Sequence, residues 1–171
     1  MKKVAVFGNA GGGKSTLARK LAALTGLPLH VIDMMPFQAG GEEFRRAHAE
    51  LVQRDAWIID GFGGVQAAWE RFARADTLVY LDLPLFSHFL GVTRRMMKGL
   101  LAAPEGWPQG TPVIRTSMQS YGVLWPCHRH LTPKYRRLVA EARSEKDVHH
   151  LRSGAEVAAF LARVGKRTSP A

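Results

Sequence analysis

A glycine-rich stretch near the start of the sequence carries residues whose types and spacing suit phosphate chemistry. It fits the pattern G-x-x-x-x-G-K-[ST], in which glycines let backbone N–H groups approach an anion without interference from a Cβ atom. Lys14 brings a positive charge to the β- and γ-phosphates of a nucleoside triphosphate, and the Ser15 hydroxyl is placed to ligate Mg²⁺. The pattern therefore predicts a phosphate-binding P-loop. Its residues are Gly8, Asn9, Ala10, Gly11, Gly12, Gly13, Lys14, Ser15 and Thr16.

The residues on both sides of the P-loop supply the context that the motif requires. Lys3 to Phe7 is a short run of β-branched and apolar residues, typical of a buried parallel strand. Ser15 to Thr25 carries leucines at helical spacing, and Gly26 follows as a stop signal. A simple glycine-rich turn would explain the glycines but not a lysine and a serine at the required offset. The sequence thus favours a strand, a P-loop and a helix whose N-terminus attracts negative charge.

Three aspartates follow further runs predicted as strands, at the edge of the sheet where open α/β folds bind ligands. Asp60 ends a run of large hydrophobic residues, and this pattern suits a carboxylate linked to Mg²⁺ in a P-loop enzyme. Asp82 competes for that role, but Leu83-Pro84 after it is typical of a strand that exits into a helix, so we favour Asp60. Asp33 is predicted to point toward the P-loop side, with capping of the next turn as the alternative.

The composition indicates one globular domain over residues 1–171. The 171 residues are 46% hydrophobic, and no apolar run is long enough to span a bilayer. The apolar stretch after Lys2-Lys3 is too short for a signal peptide. Cys127 is the single cysteine, so an internal disulfide is impossible, and a reducing, cytoplasmic setting fits best.

The net charge of +10 predicts polyanionic partners such as nucleotides, nucleic acid or phosphorylated substrates. Much of this excess lies between Gly91 and Arg137, where eight Lys and Arg residues stand against Glu105 alone, a net charge of +7. Proline and glycine recur over residues 102–126, so a long helix is not expected there. We expect a mobile lid over about residues 102–130 that closes on phosphates, with a solvated basic surface as the alternative.

Strands and helices alternate along the chain, which predicts a parallel sheet with helices on both faces. The five predicted strands are Lys3–Phe7, Leu27–Ile32, Trp57–Gly61, Thr77–Leu81 and Val148–Leu151. The predicted helices are Ser15–Thr25, Glu42–Arg54, Val65–Ala75, Pro84–Leu101, Thr132–Arg143 and Ser153–Val164.

The order of these features resembles the adenylate-kinase-related small kinases, and within them it is most similar to the group of DNA-topology-modulation proteins. The likeness covers nearly the whole chain. It rests on the P-loop, Asp33, Asp60-Gly61-Phe62, Leu81-Asp82-Leu83-Pro84, the paired arginines, Thr132-Pro133-Lys134, the run Val148 to Ser153, and Glu156-Val157. The resemblance implies the P-loop NTPase fold with strand order 2-3-1-4-5 and a lid over the triphosphate.

Two positions depart from the adenylate-kinase pattern. Those enzymes continue Asp-Gly-Phe with Pro-Arg, whose arginine holds the phosphate of the acceptor nucleotide. This chain has Gly63-Gly64 there, which leaves open whether AMP is an acceptor. The helix after Pro84 carries Gly91 in place of the first of two arginines four residues apart and keeps the second, Arg95, which leaves open whether the usual adenine clamp forms.

The resemblance implies a kinase, an ATP- and Mg²⁺-dependent phosphotransferase with a small-molecule or nucleotide acceptor. Lys14 and the loop amides would hold the β- and γ-phosphates, and Asp60 would hold the waters of the metal. Asp33 would orient the acceptor hydroxyl or accept its proton. The arginines expected to neutralise charge on the transferred group are Arg95 and, as helpers, Arg94 or Arg129.

The sequence does not identify the acceptor. Its pocket is expected from Asp33, the loop Met34 to Gly41 and the helix Glu42 to Arg54, with Arg45 and Arg46 as possible contacts to an acidic acceptor. The alternative function is a regulatory P-loop protein that binds NTP and, non-specifically, nucleic acid. The net charge motivates this alternative, although no helix-turn-helix, zinc-finger or RNA-recognition signature accompanies it.

Overall fold

A five-stranded parallel sheet forms the centre of the molecule in a computed structural model that describes residues 1–35, 41–101 and 113–168. The strands lie in the order β2-β3-β1-β4-β5, which confirms the fold class and the strand order expected from the sequence. Neighbouring strands run parallel throughout. Their bounds are β1 Lys3–Gly8, β2 Leu29–Val31, β3 Trp57–Asp60, β4 Thr77–Leu81 and β5 Asp147–Leu151.

Helices cover both faces of this sheet, as parallel strands joined by crossover helices require. Their bounds are α1 Lys14–Thr25, α2 Glu42–Gln53, α3 Val65–Arg74, α4 Leu85–Leu101, α5 Val113–His130, α6 Thr132–Glu141 and α7 Gly154–Thr168. Helices α1 and α7 pack on one face, and α2, α3 and α6 pack on the other. Two short 3-10 turns, Ile32–Met34 and Ala142–Ser144, connect elements at the sheet ends.

The middle of strand β1 is apolar without interruption because both of its faces are buried. Val4 and Val6 belong to the core cluster under α1 and α7, whereas Ala5 and Phe7 belong to the cluster under α2, α3 and α6. Since successive side chains point to opposite faces, a strand covered on both sides must be apolar at every position. On the second face, Phe7 packs against Phe72 with ring centroids 4.4 Å apart.

The expectation that no long helix forms before Pro126 is wrong for the described part of that segment. Helix α5 runs from Val113 to His130 with Pro126 inside it. Proline removes the helical donor to the carbonyl of Gly122, which is an exposed residue. Tertiary packing of α5 against α4 outweighs the local propensity, with Leu124 fully buried. Residues 102–112, the first part of the predicted lid, lie outside the described residues.

Within the described ranges, every helix is too short or too polar to cross a bilayer.

Candidate active site

The P-loop lies between β1 and α1 with the backbone conformation that its glycines allow. Gly13 caps α1 with a φ of 82°, and Gly11 has a φ of 71°. Both values lie in the left-handed region that favours glycine. Lys14 is the first residue of α1, one position earlier than expected, so the loop ends at a helix N-terminus whose amides face an incoming anion.

Side chains of the P-loop form hydrogen bonds with the loop's own backbone and with the backbone of α5. Lys14 Nζ donates a hydrogen bond to the Asn9 carbonyl oxygen at 3.0 Å. Asn9 Oδ1 accepts from the Ala10 N–H at 2.9 Å, and Asn9 Nδ2 donates to the Leu124 carbonyl oxygen at 3.0 Å. The loop conformation is therefore coupled to a helix more than one hundred residues away in sequence.

Helix α4 packs directly against the P-loop. His88 is 2% exposed, and its Nδ1–H donates to the Ala10 carbonyl oxygen at 2.9 Å. Burial lowers the pKa of His88, and the hydrogen bond to Ala10 opposes that shift only in part. A Cβ atom at Gly91 would stand 1.9 Å from the Gly11 carbonyl oxygen. This close approach leaves no room for a side chain at position 91 unless α4 or the loop moves.

Asp60 is the last residue of β3, and its side chain is buried. It follows Ile58 by two residues, and Ile58 packs in the cluster under α1, so the Asp60 side chain points to the face of the sheet that carries Ser15. Asp60 is 1% exposed, and its Oδ1 has no hydrogen-bond partner among the described residues. A buried carboxylate oxygen of this kind fits a role in holding a hydrated cation.

Asp33 lies at the neighbouring strand end, in the 3-10 turn that follows β2. Its carboxylate is exposed, and Oδ1 accepts a long hydrogen bond of 3.4 Å from the Phe62 N–H. A Cβ atom at Gly61, whose φ is 112°, would lie 3.1 Å from that oxygen. The ends of β2 and β3 thus bring Asp33 next to the turn that begins directly after Asp60.

Asp82, in contrast, has both carboxylate oxygens engaged by protein groups. Arg136 donates from Nε to Oδ2 at 2.7 Å and from Nη2 to Oδ1 at 3.1 Å. His150 Nε2 donates to Oδ2 at 2.8 Å. Asp82 therefore ties the end of β4 to α6 and β5, in keeping with a structural interpretation of this aspartate.

A groove of about 800 Å³ lies beside this ion pair, between α6 and the end of β5. Arg136, Arg143 and Arg152 line it, but neither the P-loop nor Asp33 does.

The three arginines predicted to neutralise charge on the transferred phosphoryl group differ in burial. Arg95 is half-buried on α4, and its Nη2 donates to Ser120 Oγ on α5 at 2.6 Å. Burial lowers the pKa of Arg95, whereas the Asp33 carboxylate raises it, so the two side chains are within electrostatic reach. Arg94 and Arg129 are exposed on α4 and α5, and their assignment to the triphosphate stays a prediction.

A second cavity, of about 260 Å³, joins the P-loop to Asp33. Sequence reasoning missed one residue that lines it, Arg71, although position 71 falls on the buried face of α3 at helical spacing from Ala68 and Ala75. The signal in the sequence was a charged residue on the otherwise apolar face of a predicted helix, which favours a functional role for it. The lining residues are Phe7, Gly8, Asn9, Ala10, Lys14, Asp33, Gly61, Phe62, Arg71, Phe72, Val123, Cys127, Leu131, Thr132 and Tyr135.

Solved structures of two shikimate kinases share this architecture. The chain superposes on the enzyme from Acinetobacter baumannii, solved in complex with shikimate, with a TM-score of 0.56 and 20% identity over 99% of this chain and 96% of that one. The enzyme from Bacteroides thetaiotaomicron gives a TM-score of 0.53 and 15% identity over 96% of both chains. At such identities the likeness shows the fold, which is that of the P-loop small kinases. The sequence matches no protein-family model and no curated protein.

Proposed function

We propose that the protein is an ATP-dependent phosphotransferase that transfers the γ-phosphoryl group of ATP to a hydroxyl group of a small acceptor. The observation that carries the proposal is one cavity that is lined by both the P-loop lysine and an acceptor-side carboxylate, Lys14 and Asp33. The buried oxygen of Asp60 next to the same turn, which has no hydrogen-bond partner in the described part of the chain, adds a candidate metal-linked group. The fold shared with shikimate kinases supports this class of reaction.

In the proposed reaction, the acceptor oxygen attacks the γ-phosphorus and forms a new P–O bond. The bond from the γ-phosphorus to the β,γ-bridging oxygen breaks, and ADP leaves with that electron pair. Asp33 orients the hydroxyl and accepts its proton. Lys14 and the loop amides hold the phosphate oxygens in line, which is most of what a phosphotransferase must do.

The residues that would hold Mg²⁺ are Ser15, through its hydroxyl, and Asp60, through the waters of the ion. When bound there, Mg²⁺ would supply positive charge that neutralises the charge of the phosphate groups. Arg95, which is within electrostatic reach of Asp33 and is anchored to α5, would stabilise charge on the transferred group, helped by Arg94 or Arg129. Movement of the α4–α5 pair would bring these arginines in and exclude water.

The closer resemblance to the DNA-topology-modulation proteins, the cytoplasmic setting and the use of ATP rather than another NTP are parts of the same proposal. They rest on the sequence features that suggested them. The nucleic-acid-binding alternative predicts sequence-blind, salt-sensitive DNA binding that ATP does not compete with.

A screen of ADP release tests the proposal. Nucleosides, nucleotides, sugars and hydroxy-acids are each added with ATP and Mg²⁺, and ADP formation is compared with the ATPase rate of the protein alone. We expect at least one class to raise ADP formation in step with a phosphorylated product. ADP formation that no acceptor raises would contradict a phosphotransferase.

A further inference from the structure

An apolar strip of seven exposed side chains runs along helices α4 and α5. Each of the seven is between 39% and 71% exposed, although large hydrophobic residues are more often buried. Within the described part of the chain, the strip holds seven of the eleven large hydrophobic residues that are more than a third exposed. Its members are Phe86, Leu90, Met97 and Leu100 on α4 and Ile114, Met118 and Trp125 on α5.

The spacing of these residues places them on one side of each helix. On α4 successive members lie four, seven and three residues apart, and on α5 they lie four and seven apart, which are helical repeats. The opposite side of α4 meets the P-loop, where His88 donates to the Ala10 carbonyl oxygen and Val92 is fully buried. The opposite side of α5 carries Val123, which lines the cavity shared with Lys14. The apolar strip therefore faces away from the candidate active site.

The two halves of the apolar strip adjoin because α4 and α5 pack antiparallel. The hydroxyl groups of Thr93 and Tyr121 are hydrogen-bonded at 2.6 Å, and Arg95 Nη2 donates to Ser120 Oγ at 2.6 Å, so rising numbers on α4 pair with falling numbers on α5. Thr93 and Tyr121 each lie three or four residues from strip members on both sides, so their contact joins the two halves. Seven such side chains on one surface reach the size, about 300–600 Å², at which apolar patches are often functional.

The charge of the two helices indicates what kind of partner fits. Neither α4 nor α5 contains an aspartate or a glutamate. Lys98 follows Met97 in the chain, Arg115 follows Ile114, and both cations are exposed beside the apolar strip. Arg94 and Arg129, named above as helpers at the triphosphate, are also exposed on these helices. The partner must therefore combine an apolar layer with an anionic surface.

A second copy of the chain does not meet this requirement. Pairing of two such faces would bring the cations of both copies together without a carboxylate on any of the four helices, and like charges across an interface are unfavourable. A bilayer that contains anionic lipids does meet it. Its headgroup phosphates attract Lys and Arg, and the boundary with its acyl chains takes up Phe, Leu and Trp side chains of an amphipathic helix.

We propose that the apolar strip docks on the surface of an anionic lipid bilayer, with α4 and α5 lying along the membrane plane. The strip enters the boundary between headgroups and acyl chains, and Lys98 and Arg115 contact lipid phosphates. This is peripheral binding, so it needs no membrane-spanning helix. The P-loop lies on the other side of α4 and stays accessible to nucleotide.

Co-sedimentation of the full chain with vesicles tests the proposal. Vesicles of phosphatidylcholine alone are compared with vesicles of phosphatidylcholine and phosphatidylserine, at low and at high salt. We expect binding to the phosphatidylserine vesicles that weakens with salt, and little binding to phosphatidylcholine alone. Failure to bind the phosphatidylserine vesicles, or equal binding to both kinds, overturns the proposal.

A pair of variants with equal net charge separates docking through this surface from general attraction. Lys98→Gln/Arg115→Gln removes two cations beside the apolar strip, and Lys20→Gln/Arg74→Gln removes two exposed cations on α1 and α3. We expect the first variant to bind phosphatidylserine vesicles about tenfold or more weakly than the wild type and the second to change by less than about twofold. Equal weakening in both variants would assign the binding to the charge of the whole protein and overturn the proposal.

The apolar contribution has its own matched control. Met118→Gln and Val65→Gln replace hydrophobic residues of similar exposure, 59% and 54%, the first on the strip and the second on α3. Melting temperatures like that of the wild type verify that both variants fold. We expect only Met118→Gln to weaken vesicle binding. If Met118→Gln instead changes the oligomeric state and leaves vesicle binding unaltered, a second copy covers the apolar strip and the proposal is wrong.

Trp125 reports whether the apolar strip enters the lipid. We expect tryptophan fluorescence to shift to shorter wavelength on addition of phosphatidylserine vesicles and to be quenched by brominated acyl chains. Trp125→Phe keeps an aromatic ring on the strip and should remove most of both effects while the protein still binds. The same shift and quenching in Trp125→Phe would mean that another surface contacts the lipid.

This inference does not depend on the proposed function, and the two fail separately. Vesicle binding by a protein that phosphorylates no acceptor would leave the docking surface standing and remove the phosphotransferase. Acceptor-dependent ADP formation without vesicle binding would do the reverse.

Discussion

Lys14 is the residue on which the proposed chemistry depends most. Its ammonium group lies on the P-loop and reaches the Asn9 carbonyl oxygen, so it is held where β- and γ-phosphate oxygens are expected. We expect Lys14→Ala to lower the rate of ATP turnover about 10²–10³-fold, the usual loss for one oriented electrostatic contact in a transition state. Steady-state ADP formation measures this, with exposed Lys20→Ala as the control. ATP turnover equal to that of the wild type in the folded Lys14→Ala protein would contradict the assignment of Lys14 to the transferred phosphate.

Asp33 and Asp60 are expected to affect different steps, because one is exposed toward the cavity and the other is buried toward α1. Asp60→Asn should raise the Mg²⁺ concentration needed for half-maximal ATP hydrolysis. Asp33→Asn should leave that concentration unchanged and lower only the acceptor-stimulated rate. Magnesium titrations with and without acceptor distinguish the two, and identical profiles would refute this division of roles.

At the scale of elements, the contact between α4 and the P-loop sets the geometry of the site. A Cβ atom at position 91 would collide with backbone of the loop, at 1.9 Å from the Gly11 carbonyl oxygen. We expect Gly91→Ala to lower the free energy of unfolding by about 1–3 kcal/mol and to weaken ATP binding, because α4 or the loop must move. Urea unfolding and nucleotide titration measure the two effects.

Gly122 provides the matched control for that substitution. It also lies in a helix, α5, but a Cβ atom there would meet no atom within 4 Å. Gly122→Ala should therefore raise the free energy of unfolding by roughly 0.5–1 kcal/mol through helix propensity and leave ATP binding unchanged. If both variants behave alike, the close approach of α4 is not what requires glycine at position 91.

At the scale of the whole molecule, Asp82 joins three elements: the end of β4, helix α6 through Arg136, and strand β5 through His150. Burial by itself would raise the pKa of Asp82, but hydrogen bonds from Arg136 and His150 lower it below the ordinary 3.8. The stabilisation is therefore complete above that value and is lost as the pH falls through the lower folded-state pKa.

Asp82→Asn tests this contribution. Because Arg136 is largely exposed, we expect a loss of about 1–3 kcal/mol in the free energy of unfolding at neutral pH, the range for charged hydrogen bonds. The difference from the wild type should shrink below the ordinary carboxyl pKa of 3.8. Urea unfolding across pH measures it, with exposed Asp55→Asn as the control. A difference that stays constant with pH would mean that the charge of Asp82 is not what stabilises the fold.

The sequence by itself determined the elements that depend on neighbouring residues. The strand, P-loop and helix around Lys14, and the stop at Gly26, could be predicted because each depends on residues a few positions apart. The alternation of strands and helices likewise determined a parallel sheet, since a βαβ crossover allows little else. The strand order came from the family resemblance rather than from these patterns.

Only the tertiary structure decided which distant residues meet. Asn9 bonds to Leu124, 115 positions away, and α5 stays helical through Pro126 because it packs on α4. Arg71 lies on a helical face like any core residue, and its sequence neighbours do not indicate that its guanidinium bonds to the carbonyl oxygens of Gly61 and Phe62. Only the folded chain brings position 91 so close to the Gly11 carbonyl oxygen that a Cβ atom there would collide with it. Local periodicity reports which face of an element is buried, whereas the packing of elements alone decides what that face contacts.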